Sequence, residues 1–178
     1  MKNYSLYLML VIVVSINALV GCASYNNSNP GYNSSKGTST TIILTRHGDR
    51  DTLSSILNEK GRLRADALVK AVSDYKLTAI YCPDKKRNIN TAKPTANHYG
   101  VEIKTVGEEP VVFDVLNTML SKHSGEVVLW VGNTDNLPEI YYELGGKGES
   151  PIKYGYLFIM EIKDSGYPNV IKRRYGPL

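Results

Sequence analysis

Three short segments carry residue types from which a phosphate-handling pocket can be assembled: Thr45-Arg46-His47-Gly48-Asp49, Cys82-Pro83-Asp84 leading into Lys85-Lys86-Arg87, and Gly132-Asn133-Thr134-Asp135-Asn136. The planar fork of an arginine matches two phosphate oxygens at once. A neutral imidazole is a nucleophile that can take a phosphoryl group onto nitrogen. Two guanidiniums stabilise the charge that spreads over the equatorial oxygens during transfer. Gly48 lets the backbone come close. The question is whether the chain brings these segments together.

Each segment follows an apolar, β-branched run. Residues 40–44, 78–81 and 126–131 read as strands, and the last is apolar on both faces, which marks a central and parallel strand. Helices are predicted from Asn58 to about Tyr75, from a cap at Asp84 towards Tyr99 and Gly100 with an interruption at Pro94, over 113–123, and over 137–144 with Asp135 as its cap. Residues 101–106 read as a further strand. Residues 156–162 and 170–175 form a hairpin through Asp164-Ser165-Gly166. The expected fold is a three-layer α/β/α sandwich with a mostly parallel sheet and an antiparallel edge hairpin. Parallel strands put the three segments at one sheet edge, where ligands bind in such folds.

The order of motifs resembles the histidine phosphatase superfamily, also called phosphoglycerate mutase-like. Leu44-Thr45-Arg46-His47-Gly48 matches its opening motif. Leu57-Asn58-Glu59-Lys60-Gly61-Arg62 resembles its LTxxGxxQA stretch. Residues 80–92 resemble hYSSxxxRxxQTA, and Val131 to Pro138 align with VGHSNxxP. Tyr154-Gly155 and Arg174-Tyr175-Gly176 fit small members. The resemblance spans about residues 40–177. It implies His47 as the nucleophile that forms a phosphohistidine, with Arg46 and Arg87 binding phosphate. The family's second histidine falls at Asn133, whose amide can donate a hydrogen bond to phosphate but supplies neither charge nor a proton shuttle. Losing one such contact costs about 10²–10³ in rate. Asp135 and Asp49 are the candidate acids, though each reads more readily as a loop residue that caps a helix or pairs with arginine. Glu108, Glu109 and Asp114 lie in no matching motif. His98 is roughly 16 Å along a helix from Arg87, and His123 precedes the central strand at its far end, so both read as surface or structural residues.

Two functions remain open on this reading. One is a phosphatase acting on a phosphorylated small molecule or envelope component. The other is a domain that binds a phosphorylated or anionic ligand without turnover. No cofactor is implied: there is no metal-ligand spacing and no nucleotide-binding Gly-x-x-x-x-Gly-Lys. A net charge of +4 and two short basic clusters, Lys85-Lys86-Arg87 and Lys172-Arg173-Arg174, exclude a nucleic-acid surface. The thirteen tyrosines do not form a platform; Tyr141, Tyr142, Tyr154 and Tyr156 read as packing residues.

The beginning of the chain reads as an address. Lys2 precedes an apolar run from Leu6 to Val20 that ends in Leu19-Val20-Gly21-Cys22, a segment that resembles a bacterial lipobox. The expectation is a signal peptide over 1–21, a lipidated Cys22, a flexible tether over 22–39 and one domain over 40–178. Acyl chains on Cys22 give membrane anchoring. Ala23-Ser24 after the cysteine, by resemblance to the sorting rules of enteric bacteria, implies the outer membrane, with the domain facing the periplasm. Lipidation leaves Cys82 without a disulfide partner.

Overall fold

The computed structural model describes residues 31–178. The expected signal peptide, Cys22 and the first part of the tether lie outside these residues. The elements follow as β1 (Ser39–Arg46), α1 (Glu59–Ala71), β2 (Ala79–Cys82), α2 (Lys86–Tyr99), β3 (Ile103–Thr105), α3 (Val112–Lys122), β4 (Val127–Gly132), α4 (Leu137–Glu143), β5 (Tyr156–Lys163) and β6 (Asn169–Arg174).

One six-stranded sheet runs in the order β3-β2-β4-β1-β5-β6. The first four strands in that order are mutually parallel, β5 runs antiparallel to β1, and β6 closes the edge as a hairpin with β5. Strand side chains alternate between faces, and the apolar residues divide accordingly. Ile42, Leu44, Val128 and Trp130 pack with Leu116 and Met119 of α3 and Ile140 and Tyr141 of α4. Ile43, Leu129 and Val131 pack with Leu68 of α1 and Ala92 and Ala96 of α2. Both faces of the sheet are therefore covered by helices, which makes the three-layer α/β/α sandwich.

Helix ends explain where local reading succeeds and fails. Asn58 caps α1, its Oδ1 accepting from Gly61 N at 2.9 Å, and Gly100 ends α2 in the left-handed region at φ 67°. Asp84 is not a cap: α2 starts one residue later behind Lys85, with no side-chain cap bond. Pro94 does not interrupt α2, which continues to Tyr99. Proline costs the Asn90 carbonyl its helical partner, but Asn90 is exposed, so water can take that bond. Asp135 is not the cap of α4 either; Asn136 occupies that place. The packed domain also begins before residue 40. Ser34 is buried, its N–H donates to the Lys163 carbonyl at 2.9 Å, and its hydroxyl meets Thr40 Oγ1 at 2.7 Å.

One close approach positions the functional loop. A Cβ on Gly48 would meet the Gly61 carbonyl oxygen at 2.5 Å, and one on Gly61 would overlap the carbonyl of Asp49. Two glycines thus let the loop after β1 lie directly on the first turn of α1. Gly61→Ala is expected to lower stability by about 1–3 kcal/mol, read as a drop in the midpoint of thermal unfolding.

Candidate active site

Backbone pairing delivers the first and third segments to one place. β1 and β4 are parallel and in register from Thr41 opposite Val127 to Arg46 opposite Gly132, and His47 N–H continues the ladder to the Gly132 carbonyl at 3.0 Å. His47 and Asn133 therefore leave the sheet side by side. The first turns of α2 are stitched to both ends. Asn88 Nδ2 donates to the carbonyls of Val131 and Gly132 at 2.9 and 3.2 Å. Thr91 Oγ1 accepts from Gly48 N–H at 2.8 Å and donates to the Arg87 carbonyl at 2.7 Å. Arg87 is thereby carried to the same edge.

His47 is 2% exposed. Its Nδ1 lies 2.7 Å from the Gly48 carbonyl. A carbonyl only accepts, so the neutral ring carries its proton on Nδ1 and keeps the lone pair on Nε2. Burial, above all, pushes the imidazole pKa down to about 4; the charges of Arg46, Arg87 and Arg50 add to this, against the bond to Gly48. The ring is thus neutral at physiological pH, as a nucleophile must be.

Arg46 stacks on Tyr154, its guanidinium carbon 4.0 Å from the ring centroid, and donates to Tyr154 Oη at 3.3 Å and the Ile152 carbonyl at 3.0 Å. Tyr154 also presents its ring to His47 edge-on, with centroids 5.7 Å apart. Arg87 has its pKa lowered by burial first and then by Arg50. Asn133 is 3% exposed, and neither its Oδ1 nor its Nδ2 has a partner. A buried amide with nothing to bond costs free energy unless a ligand satisfies it. The turn that holds it is fixed by Asn136, whose Oδ1 accepts from Asn133 N–H at 3.0 Å and Trp130 Nε1 at 3.3 Å.

The other candidates separate. Asp49 points away from chemistry: it is buried in an ion pair with Arg64, at 2.6 Å from Nε, and is held there as a structural group. Asp135 is exposed, accepts the Asn136 N–H on Oδ1 at 2.8 Å, and lies within electrostatic reach of Arg87. His98 is exposed. His123 is buried between Tyr81 Oη at 3.0 Å and Glu126 at 2.7 Å, a structural histidine at the far end of the sheet. Two pocket residues escape local reading. Arg50 follows His47 by three residues and acts on both His47 and Arg87. Tyr154 is not merely a packing residue. Its only signal in the sequence is its place in the Tyr154-Gly155 motif.

The sequence profile of the histidine phosphatase superfamily (branch 1) matches residues 42–108. No curated protein matches the sequence. Solved structures match the fold across the domain. Bacillus stearothermophilus YhfR superposes with a TM-score of 0.61 at 20% identity, covering 74% of this chain and 95% of that one. Phosphoglycerate mutase from Bacillus anthracis gives 0.60 at 14% identity over 76% and 93%. The mycobacterial glucosyl-3-phosphoglycerate phosphatase gives 0.59 at 11% identity over 76% and 98%.

Proposed function

We propose that the chain, whose residues 42–108 match the profile of the histidine phosphatase superfamily (branch 1), hydrolyses phosphomonoesters through a phosphohistidine at His47. The observation that carries this reading is the neutral, buried imidazole with its proton committed to Gly48 and three guanidiniums acting around it. In the first step Nε2 bonds to phosphorus while the ester P–O bond breaks; the leaving oxygen takes a proton from Asp135 or from water. In the second step water attacks the phosphohistidine, the N–P bond breaks, and inorganic phosphate leaves. Arg46 and Arg87 bind the phosphoryl oxygens throughout, and the Asn133 amide donates to them.

The test is hydrolysis of p-nitrophenyl phosphate by the chain from Ala23 onwards, with trapping of acid-labile, base-stable phosphate on the protein. Turnover with a trapped intermediate supports the enzyme. A folded protein that binds phosphate without turnover supports a second reading, a ligand-binding domain, which the loss of the second imidazole at Asn133 favours. Asn133→His then discriminates. It is expected to raise kcat by about 10² in an impaired enzyme, and to leave a pure binding domain inactive if other groups have also been lost.

Asp135 is tested by leaving group. An acid matters most where the leaving oxygen is basic. Asp135→Asn is therefore expected to slow an alkyl phosphate about tenfold or more while p-nitrophenyl phosphate changes less than threefold. Equal slowing of both assigns the proton to water.

The proposed setting is the bacterial envelope, with acyl chains on Cys22 anchoring the domain at the outer membrane, facing the periplasm and a phosphorylated small molecule or envelope component. Labelled palmitate should enter the full chain and fail to enter Cys22→Ser; incorporation into both removes this assignment.

A further inference from the structure

The turn that leads into β5 carries a tyrosine to the nucleophile. Tyr156 N–H bonds to the Lys153 carbonyl at 3.2 Å across four residues, and Gly155 takes φ 78° as the third of them. A turn with positive φ at its third residue is the type that glycine serves. No side chain fits there, since a Cβ on Gly155 would run into Arg64 Nη1 and lie 2.7 Å from the Tyr175 carbonyl oxygen. Beyond the turn, β5 pairs antiparallel with β1, Leu157 opposite Thr45, and Thr45 Oγ1 donates to the Tyr156 carbonyl at 2.8 Å. The turn is therefore fixed at the edge where Arg46 and His47 leave the sheet, and Tyr154 is presented to both.

Tyr154 has spent only part of its hydrogen-bonding capacity. Its Oη accepts from Arg46 Nη2 at 3.3 Å, and its own O–H has no acceptor among the described residues. The ring is half-buried, edge-on to His47, stacked under the Arg46 guanidinium, and near enough to Arg87 to act on its charge. Arg46 spends Nη1 on the Ile152 carbonyl and keeps a buried Nε without a partner. Nε and Nη2 form one edge of the guanidinium, the fork that takes two oxygens of one oxyanion. An oxyanion on that edge sits beside the nitrogen that Tyr154 Oη already meets, so the phenol proton finds an acceptor when the anion arrives.

We propose that Tyr154 is a phosphate-binding residue of this site: its O–H donates to a phosphoryl oxygen held by Arg46, while its ring keeps that guanidinium in place. The assignment rests on the phosphate-handling reading above and deepens it. A hydrogen bond to an ionised oxygen is stronger than one between neutral groups. A donor fixed beforehand needs no reorganisation as charge builds on the phosphoryl oxygens. With the unpartnered amide of Asn133, Tyr154 gives the pocket two neutral donors beside its guanidiniums.

The experiment compares three variants with the native protein. Tyr154→Phe removes the hydroxyl and keeps the ring, and Tyr154→Leu removes both. Tyr156→Phe is the control from the same turn, its hydroxyl lying 3.4 Å from Glu149 Oε2. Inorganic phosphate is titrated into each by calorimetry, with p-nitrophenyl phosphate kinetics and the thermal midpoint read alongside. Tyr154→Phe is expected to weaken phosphate roughly 10- to 100-fold, the scale of a hydrogen bond to a charged group, and to lower kcat/KM by at least as much, at a native thermal midpoint. Tyr156→Phe is expected to stay within about threefold of native. Phosphate should also perturb the tyrosine ultraviolet absorbance of the native protein and of Tyr156→Phe, but not of Tyr154→Phe. Native affinity in Tyr154→Phe, with loss confined to Tyr154→Leu, would make the ring a prop for Arg46 and overturn the proposal while the phosphatase reading stands. Equal losses in Tyr154→Phe and Tyr156→Phe would assign the effect to the turn and overturn it as well. Phosphate binding that Tyr154→Phe weakens, in a native protein without turnover, upholds the assignment while the hydrolytic reading fails. A native protein that binds no phosphate removes both.

Discussion

Replacing His47 by glutamine is expected to abolish the phosphoenzyme and to cut kcat on p-nitrophenyl phosphate by on the order of 10⁴ or more, the scale on which loss of a covalent nucleophile is felt. The same substitution should change how stability depends on pH. The unfolded imidazole takes a proton near its ordinary pKa of 6.5, whereas the folded one does so only near 4. Between those values the unfolded chain holds more protons, so a penalty accumulates as pH falls from 6.5 to 4 and levels off below. It amounts to about 3 kcal/mol in a group this buried. Glutamine carries no such proton. The difference in unfolding free energy between mutant and native protein, measured in urea at about pH 7 and again at about pH 4, should therefore shift in favour of the mutant by about that amount. An unshifted difference would mean that His47 is not held neutral, and with it the nucleophile would lose its physical basis.

Much of this site is legible in the sequence, because its central parts obey local rules. The β-branched runs before Arg46 and Asn133 announce buried strands, and parallel pairing forces their carboxyl ends to one edge. Asn58 and Gly100 stand where helix chemistry wants them. The failures are of two kinds: helices that begin one residue late, and partners that lie elsewhere in the chain. Asp84 and Asp135 have the composition of caps, yet each helix begins one residue later than those aspartates predict. Asn136 turns its side chain back to Trp130 and Asn133 instead of forward into α4. Ser34 lies in a polar stretch with the composition of a linker, but its backbone pairs with Lys163 across 129 positions of chain. Tyr154 meets Arg46 from 108 residues away. No periodicity carries such information.

Asp49 shows what the distinction means for function. Its place after Arg46-His47-Gly48 invites an acid role, but the carboxylate lies against Arg64, 15 residues along, and both groups are buried. Arg64 is 3% exposed and also donates to the carbonyls of Tyr175 and Pro177, each at 2.8 Å. One guanidinium thus ties α1 to the loop that carries His47 and to Tyr175 and Pro177. Taking the carboxylate away leaves a buried charge with only two carbonyl partners, a situation that costs about 3–5 kcal/mol. Asp49→Ala is accordingly expected to lower the thermal midpoint by about 10 °C or more, and Asp49→Asn by most of that, since a neutral amide cannot balance the guanidinium. Replacing both partners together, Asp49→Leu with Arg64→Leu, should recover part of the loss by removing the stranded charge. Activity at temperatures where the variants remain folded should then fall equally on alkyl and aryl phosphates, because the defect lies in how firmly the Gly48 carbonyl is held beneath the His47 ring. A selective loss on alkyl phosphates with native stability would instead make Asp49 the proton donor and strip the ion pair of its structural role. The pair and the acid are exclusive uses of one carboxylate, and the geometry has committed it to the first.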